Sequence, residues 1–348
     1  MTTSPLTIAD QGFFWVGVTR RQQGYGLTAP GPMYVQYQIP AERRHRYPLI
    51  MVHGGGGQGL DYLGTPDGRP GWATWFLRQG YAVYVVDRPG LGRSPYHADL
   101  LGPMTPPPTY EQIVGLFSAP RKAARYPQAE RHTQWPGSGE VGDPAVDQFM
   151  AGSGPMMADL ARTQAEMQRC GVELLDRIGP AIVMCHSMGG PFGWLVADQR
   201  PDLVKAILAI EPVGPPFFAM PGGGSLAYGI TAIPLAYDPP VNRPEDLTRV
   251  LRKAPGADLL DCFVQAEPAR KLPRLAGIPI GVVVAEASWM AQFTHGTADW
   301  LVQAGADAEL IRLENLGIRG NGHLMMGETN SDEVAAALHR WIIERVAA

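Results

Sequence analysis

The sequence predicts an α/β fold in which a mostly parallel central sheet is covered by helices on both faces. Short apolar runs rich in β-branched residues alternate with helical stretches along the 348 residues, as expected of βαβ units. Because most of these runs are apolar throughout, they are typical of strands buried on both faces of a sheet. Chemically reactive residues follow several runs, and open α/β sheets bind their ligands at that carboxyl edge.

Eight apolar runs are predicted to form the sheet. We expect the first two to make an antiparallel edge, while the later ones suit parallel pairing. In chain order the runs cover residues 13–18, 33–39, 49–52, 81–86, 181–185, 204–210, 278–285 and 308–313. Helices are predicted over residues 191–198, directly after the fifth run, and over residues 331–346.

The whole chain, residues 1–348, is predicted to form a single domain with two insertions. The insertions, at about residues 95–155 and 214–273, are rich in proline and glycine and interrupt the alternation of strands and helices. Loops this long inside a compact fold are usually functional. We therefore predict that both insertions form a lid or cap over the site, with surface decoration as the alternative.

Composition narrows the class of protein. Apolar residues make up 45% of the chain and charged residues 18%, and the net charge is -4. These values indicate a large core and give no reason to expect nucleic acid or an anionic membrane as a partner. No segment has the roughly 18 unbroken apolar residues of a membrane helix, and residues 1–20 contain no apolar run long enough for a signal peptide.

The cysteines support an intracellular interpretation. Cys170, Cys185 and Cys262 are odd in number and widely spaced, whereas disulfide frameworks and zinc sites need paired, closer spacing. We predict a cytoplasmic protein with reduced thiols, no metal and no cofactor, and we leave a homodimer open. The chain has no P-loop, and residues 87–94 contain Gly-x-Gly without the third glycine of a dinucleotide site.

A serine stands at the predicted turn between the fifth strand and the helix after it. Residues 185–190 read Cys-His-Ser-Met-Gly-Gly, and small residues two positions before and after such a serine let strand and helix approach closely. Gly189 is small, and Cys185 replaces the usual first glycine. The pattern predicts Ser187 as a nucleophile; the alternative is an ordinary turn with a serine cap.

Oxyanion-stabilising groups are predicted beside this turn. A run of four glycines, residues 54–57, follows His53 after the third strand. The backbone N–H of Met188, together with that of Gly54 or Gly55, would form an oxyanion hole. We expect His53 itself to be structural and to hold the loop by hydrogen bonds.

The proton carrier is predicted to be His323. Of the eight histidines, it alone combines a late position, a glycine-rich loop and a place between the last strand and the final helix. His295, in a predicted helix, is the alternative. Two glutamates could orient the imidazole, since Glu211 and Glu286 follow adjacent strands, and local chemistry does not separate them.

The chain resembles the α/β-hydrolase superfamily, and most of all the esterase 713-like branch of bacterial serine esterases. The segments that carry the resemblance are residues 53–59, 65–69, 71–72, 90–94, 186–190, 211–212 and 317–326. The resemblance implies an α/β-hydrolase fold and, because the acid of that branch follows the sixth strand, it favours Glu211 over Glu286. This chain departs from the branch in having a longer segment between Glu211 and His323.

These features predict a serine hydrolase that cleaves a small-molecule carboxylic ester or lactone through an acyl-enzyme, with a Ser-His-Glu triad. An acyltransferase or a lyase on the same scaffold is the alternative, followed by a non-catalytic small-molecule binding module. Apolar residues for an acyl site are also present, and each is equally compatible with the core: Phe217, Phe218, Tyr228 and Trp289.

Overall fold

An eight-stranded sheet forms the centre of the computed structural model, which describes residues 5–220 and 224–346. The strands of the described ranges are β1 (Ile8–Val16), β2 (Arg21–Gln23), β3 (Gly26–Thr28), β4 (Met33–Pro40), β5 (Leu49–Val52), β6 (Val83–Asp87), β7 (Ala181–His186), β8 (Val204–Ile210), β9 (Arg249–Arg252), β10 (Cys262–Gln265), β11 (Ile280–Val284) and β12 (Ala308–Arg312).

The order of the central sheet is β1-β4-β6-β5-β7-β8-β11-β12. β4 pairs antiparallel with both β1 and β6, and the remaining pairs are parallel. The predicted mostly parallel sheet with an antiparallel edge is therefore confirmed. β1 begins at Ile8, before the predicted start, because its first residues lie on the exposed edge and carry little apolar pattern.

Helices cover both faces of this sheet. They are α1 (Leu60–Leu63), α2 (Trp72–Arg78), α3 (Ala98–Leu101), α4 (Tyr110–Ile113), α5 (Pro120–Ala123), α6 (Pro144–Gly152), α7 (Leu160–Ile178), α8 (Pro191–Gln199), α9 (Thr294–Gln303) and α10 (Ser331–Arg345). The longest, α7, starts where the Asp159 side chain accepts a hydrogen bond from the Arg162 N–H, and it ends before Gly179 at a φ of 82°.

Two apolar layers flank the sheet. Ile182 and Met184 of β7 face the layer that contains α2 and α10, whereas Val183 and Cys185 face the layer that contains α7, α8 and α9. All six residues of β7 are buried, since successive side chains of a strand point to opposite faces and both faces are covered. This burial leaves only the strand ends accessible for chemistry.

Both predicted insertions contribute buried residues to the apolar layers that flank the sheet. Residues 95–155 contain the short helices α3 to α6. In the same segment, His132 and Thr133 form hydrogen bonds with the loop before α10. Residues 214–273 carry the β9–β10 hairpin and contribute Leu235 and Tyr237 to the main core; residues 221–223 of this segment lie outside the described residues. Their role as a lid stays a prediction.

Neither a membrane-spanning helix nor a metal-binding cluster is present among the described residues. No helix in the described ranges has the length and apolarity needed to cross a membrane. Among the same residues, no group of three or more His, Cys, Asp or Glu side chains is arranged to hold a metal ion.

Candidate active site

The turn after β7 holds Ser187 in a strained backbone conformation. Its φ is +51°, in the left-handed region that non-glycine residues rarely adopt. A Cβ on Gly189 would lie 2.3 Å from the His53 carbonyl oxygen, and one on Gly190 would lie 2.5 Å from the Pro212 Cβ. The turn therefore packs too closely against the loops after β5 and β8 to accept a larger residue at these two positions.

Cys185 occupies the position where a glycine was expected. Its thiol is buried and donates a hydrogen bond of 3.2 Å to the Gly190 carbonyl across the turn. The side chain thus fits inside the turn and supports it, which explains how this departure from the usual pattern is accommodated.

Glu211 and His323 are joined by a buried hydrogen bond. The His323 Nδ1 lies 2.5 Å from the Glu211 Oε2, and the residues are 1% and 0% exposed. The carboxylate also accepts from the Ala285 N–H at 2.8 Å and from the Ser288 hydroxyl at 2.7 Å. These donors fix the direction of the carboxylate, and through it the orientation of the imidazole.

Burial shifts the protonation of both groups. Loss of solvent lowers the pKa of His323 well below its ordinary value of 6.5, which keeps the imidazole neutral and able to accept a proton. Burial raises the pKa of Glu211, and the hydrogen bonds from Ser288 and Ala285 act in the opposite direction. The hydrogen bond from Ser288 therefore favours the ionised carboxylate, against the larger effect of burial on the Glu211 pKa.

The alternative acid, Glu286, has a different partner. Its Oε2 lies 3.2 Å from Nη1 of Arg319, an arginine whose side chain is 68% exposed. The structure therefore pairs Glu286 with a surface cation and brings Glu211 to His323. His295 lies in α9, as predicted, and its Nδ1 has no hydrogen-bond partner in the described structure.

The glycine loop after β5 packs directly against the turn that carries Ser187. A Cβ on Gly54 would lie 3.0 Å from that of Ser187, and one on Gly55 would lie 2.7 Å from the Met188 Cγ. Among the described residues, neither the Gly54 nor the Gly55 N–H donates to another protein group. These donors are therefore available to a substrate oxygen beside Ser187.

His53 is the residue that holds this loop. Its Nδ1 donates to the Gly54 carbonyl at 2.9 Å, and its Nε2 accepts from the Arg88 N–H at 2.9 Å. Both ring nitrogens are thus engaged within the protein, and the side chain is fully buried. The structure places His53 in the structural role that the sequence predicts.

Aromatic rings surround the imidazole of His323. The ring centroid of Trp289 lies 4.3 Å from it, that of His186 lies 4.4 Å away, and that of Phe117 lies 5.6 Å away. His186 also donates through Nε2 to the His323 carbonyl at 3.0 Å. His186 and Phe117 were not predicted here, because neither belongs to a local pattern that indicates a contact with a distant residue.

The remaining predicted acyl-site residues separate into two groups. Phe218 packs against the same small apolar cluster as Met188, the residue after Ser187. Phe217 packs against Trp300 with a centroid distance of 5.2 Å, and both it and Tyr228 lie against the main core. Of the four predicted residues, Trp289 therefore lies beside His323 and Phe218 lies with Met188, the neighbour of Ser187.

A buried carboxylate organises the loop that carries His323. Glu328 accepts from His132 Nε2 at 2.8 Å, from the Asn321 amide at 2.7 Å and from the Gly322 N–H at 2.8 Å. Arg69 donates to the Glu328 carbonyl at 2.9 Å. The sequence offers no direct signal for this cluster, because His132 is 196 positions away from Glu328.

Comparison with known proteins gives three informative matches. A protein-family model for the alpha/beta hydrolase fold matches residues 47–224. The "Probable secreted lipase phiG" of a fungal species (strain ATCC 74256) is 42% identical over 333 residues, which are 95% of this chain and 88% of the relative. The solved structure called "The Atomic Resolution Structure of a Novel Bacterial Esterase" shares the fold, with a TM-score of 0.61, 23% identity and coverage of 99% of this chain and 98% of that chain.

Proposed function

Because the chain belongs to the α/β-hydrolase family, we propose that it hydrolyses carboxylic esters, lactones included, through an acyl-enzyme formed on Ser187. The similarity to a protein named as a lipase supports ester hydrolysis in general. The observation that carries the finer proposal is the buried hydrogen bond between Glu211 and His323, at the sheet edge where the strained Ser187 stands.

In the proposed reaction the Ser187 hydroxyl attacks the ester carbonyl carbon while His323 accepts its proton. Glu211 accepts a hydrogen bond from the imidazole Nδ1–H and stabilises the imidazolium that forms. The oxyanion of the tetrahedral intermediate accepts hydrogen bonds from the Met188 N–H and from the glycine loop, where Gly54 and Gly55 offer donors. The alcohol leaves with the proton held by His323, and an acyl group remains on the serine.

A water molecule completes the cycle. His323 removes a proton from the water, the resulting hydroxide attacks the acyl carbonyl, and Ser187 regains its proton as the carboxylic acid is released. In a lactone the leaving alcohol stays attached to the acyl chain, so the product is a single hydroxy acid. An acyltransferase would use the same acyl-enzyme and replace water with an acceptor alcohol.

The surroundings of the proposed site favour an uncharged substrate. Phe117 and Trp289 flank the imidazole, and Met156 and Met188 lie against Gly55. Such groups gain free energy by contact with apolar parts of a substrate and offer no ion pair to a charged one. We therefore propose a neutral ester with an apolar acyl or alcohol group.

The test is release of p-nitrophenol from short-chain aryl esters by the wild type and by Ser187→Ala. Steady turnover that the variant lacks, together with phosphonate labelling of Ser187 alone, supports the proposal. Release that requires an added alcohol would indicate an acyltransferase, and binding without release would indicate a binding module. Labelling of another serine would reject the assignment of the nucleophile.

Location and assembly stay predictions. The three cysteines, Cys170, Cys185 and Cys262, are free and buried, which fits a reducing compartment, whereas the fungal relative is named as a secreted protein. We propose the cytoplasm for this chain, which cell fractionation tests, and a homodimer, which light scattering tests.

A further inference from the structure

A buried arginine lies beneath the proposed oxyanion loop. Arg88 is 1% exposed, and its Nη2 donates to the Gly54 carbonyl at 2.5 Å. Among the described residues, the hydrogen bond of its Nη1 goes to the sulfur of Met167 at 3.7 Å, and its Nε has no hydrogen-bond partner. Burial of a cation with one strong acceptor is costly, so a purely structural role accounts poorly for this residue.

Ion pairing does not explain Arg88 either. The adjacent carboxylate, Asp87, accepts instead from the Gly59 N–H and from Arg93. The charge of the Asp61 carboxylate raises the pKa of Arg88 and so opposes the effect of burial. No salt bridge between Arg88 and Asp61 is present in the described part of the chain. Burial lowers the pKa of Arg88 to about 10, which leaves the guanidinium positively charged at neutral pH.

The acceptor of Arg88 connects its charge to the proposed reaction. The Gly54 carbonyl and the Gly55 N–H belong to the same peptide unit, and that carbonyl accepts from both Arg88 Nη2 and His53 Nδ1. Donors at a carbonyl draw electron density from the peptide nitrogen, and linked hydrogen bonds strengthen one another in this way. The C=O and N–H of a trans peptide point in opposite directions, so the Gly55 N–H points away from Arg88; Gly55 is also exposed, whereas Gly54 is buried.

We propose that Arg88 is a positioning residue that fixes and polarises the Gly54–Gly55 peptide, and thereby strengthens the Gly55 N–H as an oxyanion donor. This inference rests on the proposed serine-hydrolase function. Negative charge develops on the substrate oxygen only as the tetrahedral intermediate forms. The contribution of Arg88 therefore falls on kcat, while KM, which reflects the neutral ester, changes little.

The experiment compares Arg88→Met, Arg88→Gln and Arg88→Lys with the wild type on an aryl ester. The charge-free variants should lose about 10- to 100-fold in kcat, less than the roughly 10²–10³ that removal of a whole oxyanion donor costs. Arg88→Lys should keep clearly more activity than Arg88→Gln, because it retains the charge. An aryl trifluoromethyl ketone forms a serine adduct that carries an oxyanion. Its inhibition constant should rise by the same factor by which kcat/KM falls.

Controls separate this effect from loss of structure. Thermal unfolding should show Arg88→Met to be as stable as the wild type or more so, because an incompletely bonded buried charge is removed. Arg93→Met, which removes a neighbouring cation bonded to Asp87, should keep kcat close to the wild-type value. If Arg88→Met does not fold, the ratio between Arg88→Lys and Arg88→Gln decides the question.

Two results would overturn the inference. One is a charge-free variant with wild-type kcat, and the other is a rise in KM at constant kcat with no change in ketone affinity. Either result leaves the proposed function intact, provided that the wild type hydrolyses the ester and is labelled at Ser187. Absence of ester hydrolysis by the wild type would instead reject the proposed function itself.

Discussion

Replacement of Glu211 by glutamine tests which acid orients His323. The substitution keeps the size of the side chain and removes its charge. In the structure two donors converge on one carboxylate oxygen, Oε2, namely the His323 Nδ1–H at 2.5 Å and the Ser288 hydroxyl at 2.7 Å. If the amide NH₂ of glutamine takes the Oε2 position, it faces two hydrogen-bond donors and can accept from neither. If the amide is reversed, its NH₂ faces the Ala285 N–H, which is also a donor.

The expected loss follows from this arrangement. Without the carboxylate, the imidazole is no longer held in the tautomer that accepts the serine proton, and the imidazolium loses its counter-charge. The reference case for such a change is a loss of about 10⁴ in kcat, which equals about 5 kcal/mol of transition-state stabilisation. By contrast, Glu286→Gln removes only a contact with the exposed Arg319, worth about 0–1 kcal/mol of stability.

Steady-state hydrolysis of a p-nitrophenyl ester measures both variants, and circular dichroism checks that they are folded. We expect Glu211→Gln to retain KM and lose kcat, and Glu286→Gln to match the wild type. A steep loss of kcat in Glu286→Gln with near-normal turnover in Glu211→Gln would refute the reasoning, while the serine-hydrolase proposal would still stand.

Three further predictions concern the same hydrogen-bonded chain. His323→Ala should lower kcat by several orders of magnitude, because triad members act as a unit, whereas His295→Ala should have a small effect; the reverse order in ester hydrolysis would mean that His295 carries the proton. Because burial lowers the pKa of His323 and the neutral imidazole is the active form, kcat/KM should stay at its plateau as the pH falls through 6.5; a half-maximal value at or above that pH would contradict this. Ser288→Ala removes a hydrogen bond to Glu211, so kcat should fall while KM stays unchanged. The loss of transition-state stabilisation should be at most the roughly 1.5–3 kcal/mol of a hydrogen bond to a charged group. An unchanged kcat and pH profile would show that Ser288 only caps the turn that follows it.

The central sheet was predictable because its strands are buried on both faces. β7 and β8 are almost continuously apolar, and a run of that kind has few other structures available to it. The short hairpins were not predicted, since β2 and β9 are largely exposed and show no apolar pattern. The spacing of apolar residues in a sequence indicates which strands are buried, and an exposed strand has no such pattern.

Local sequence also predicted where the reactive residues stand along the chain. Ser187 lies in a turn whose small neighbours are needed for close packing, and His323 lies in a glycine-rich loop after the last strand. Both predictions depend on residues within a few positions of the side chain concerned. The glycine loop that supplies Gly54 and Gly55 was recognisable for the same reason.

By itself, the sequence determined the α/β fold, the positions of its main strands along the chain and the positions of Ser187 and His323. Only the tertiary structure decided that Glu211 contacts His323 while Glu286 contacts Arg319, and that Arg88 lies beneath Gly54. Two acids at adjacent strand ends look alike in sequence, because the direction of a side chain depends on the packing around it. Partners that are distant in sequence meet only when the whole sheet and its loops have assembled.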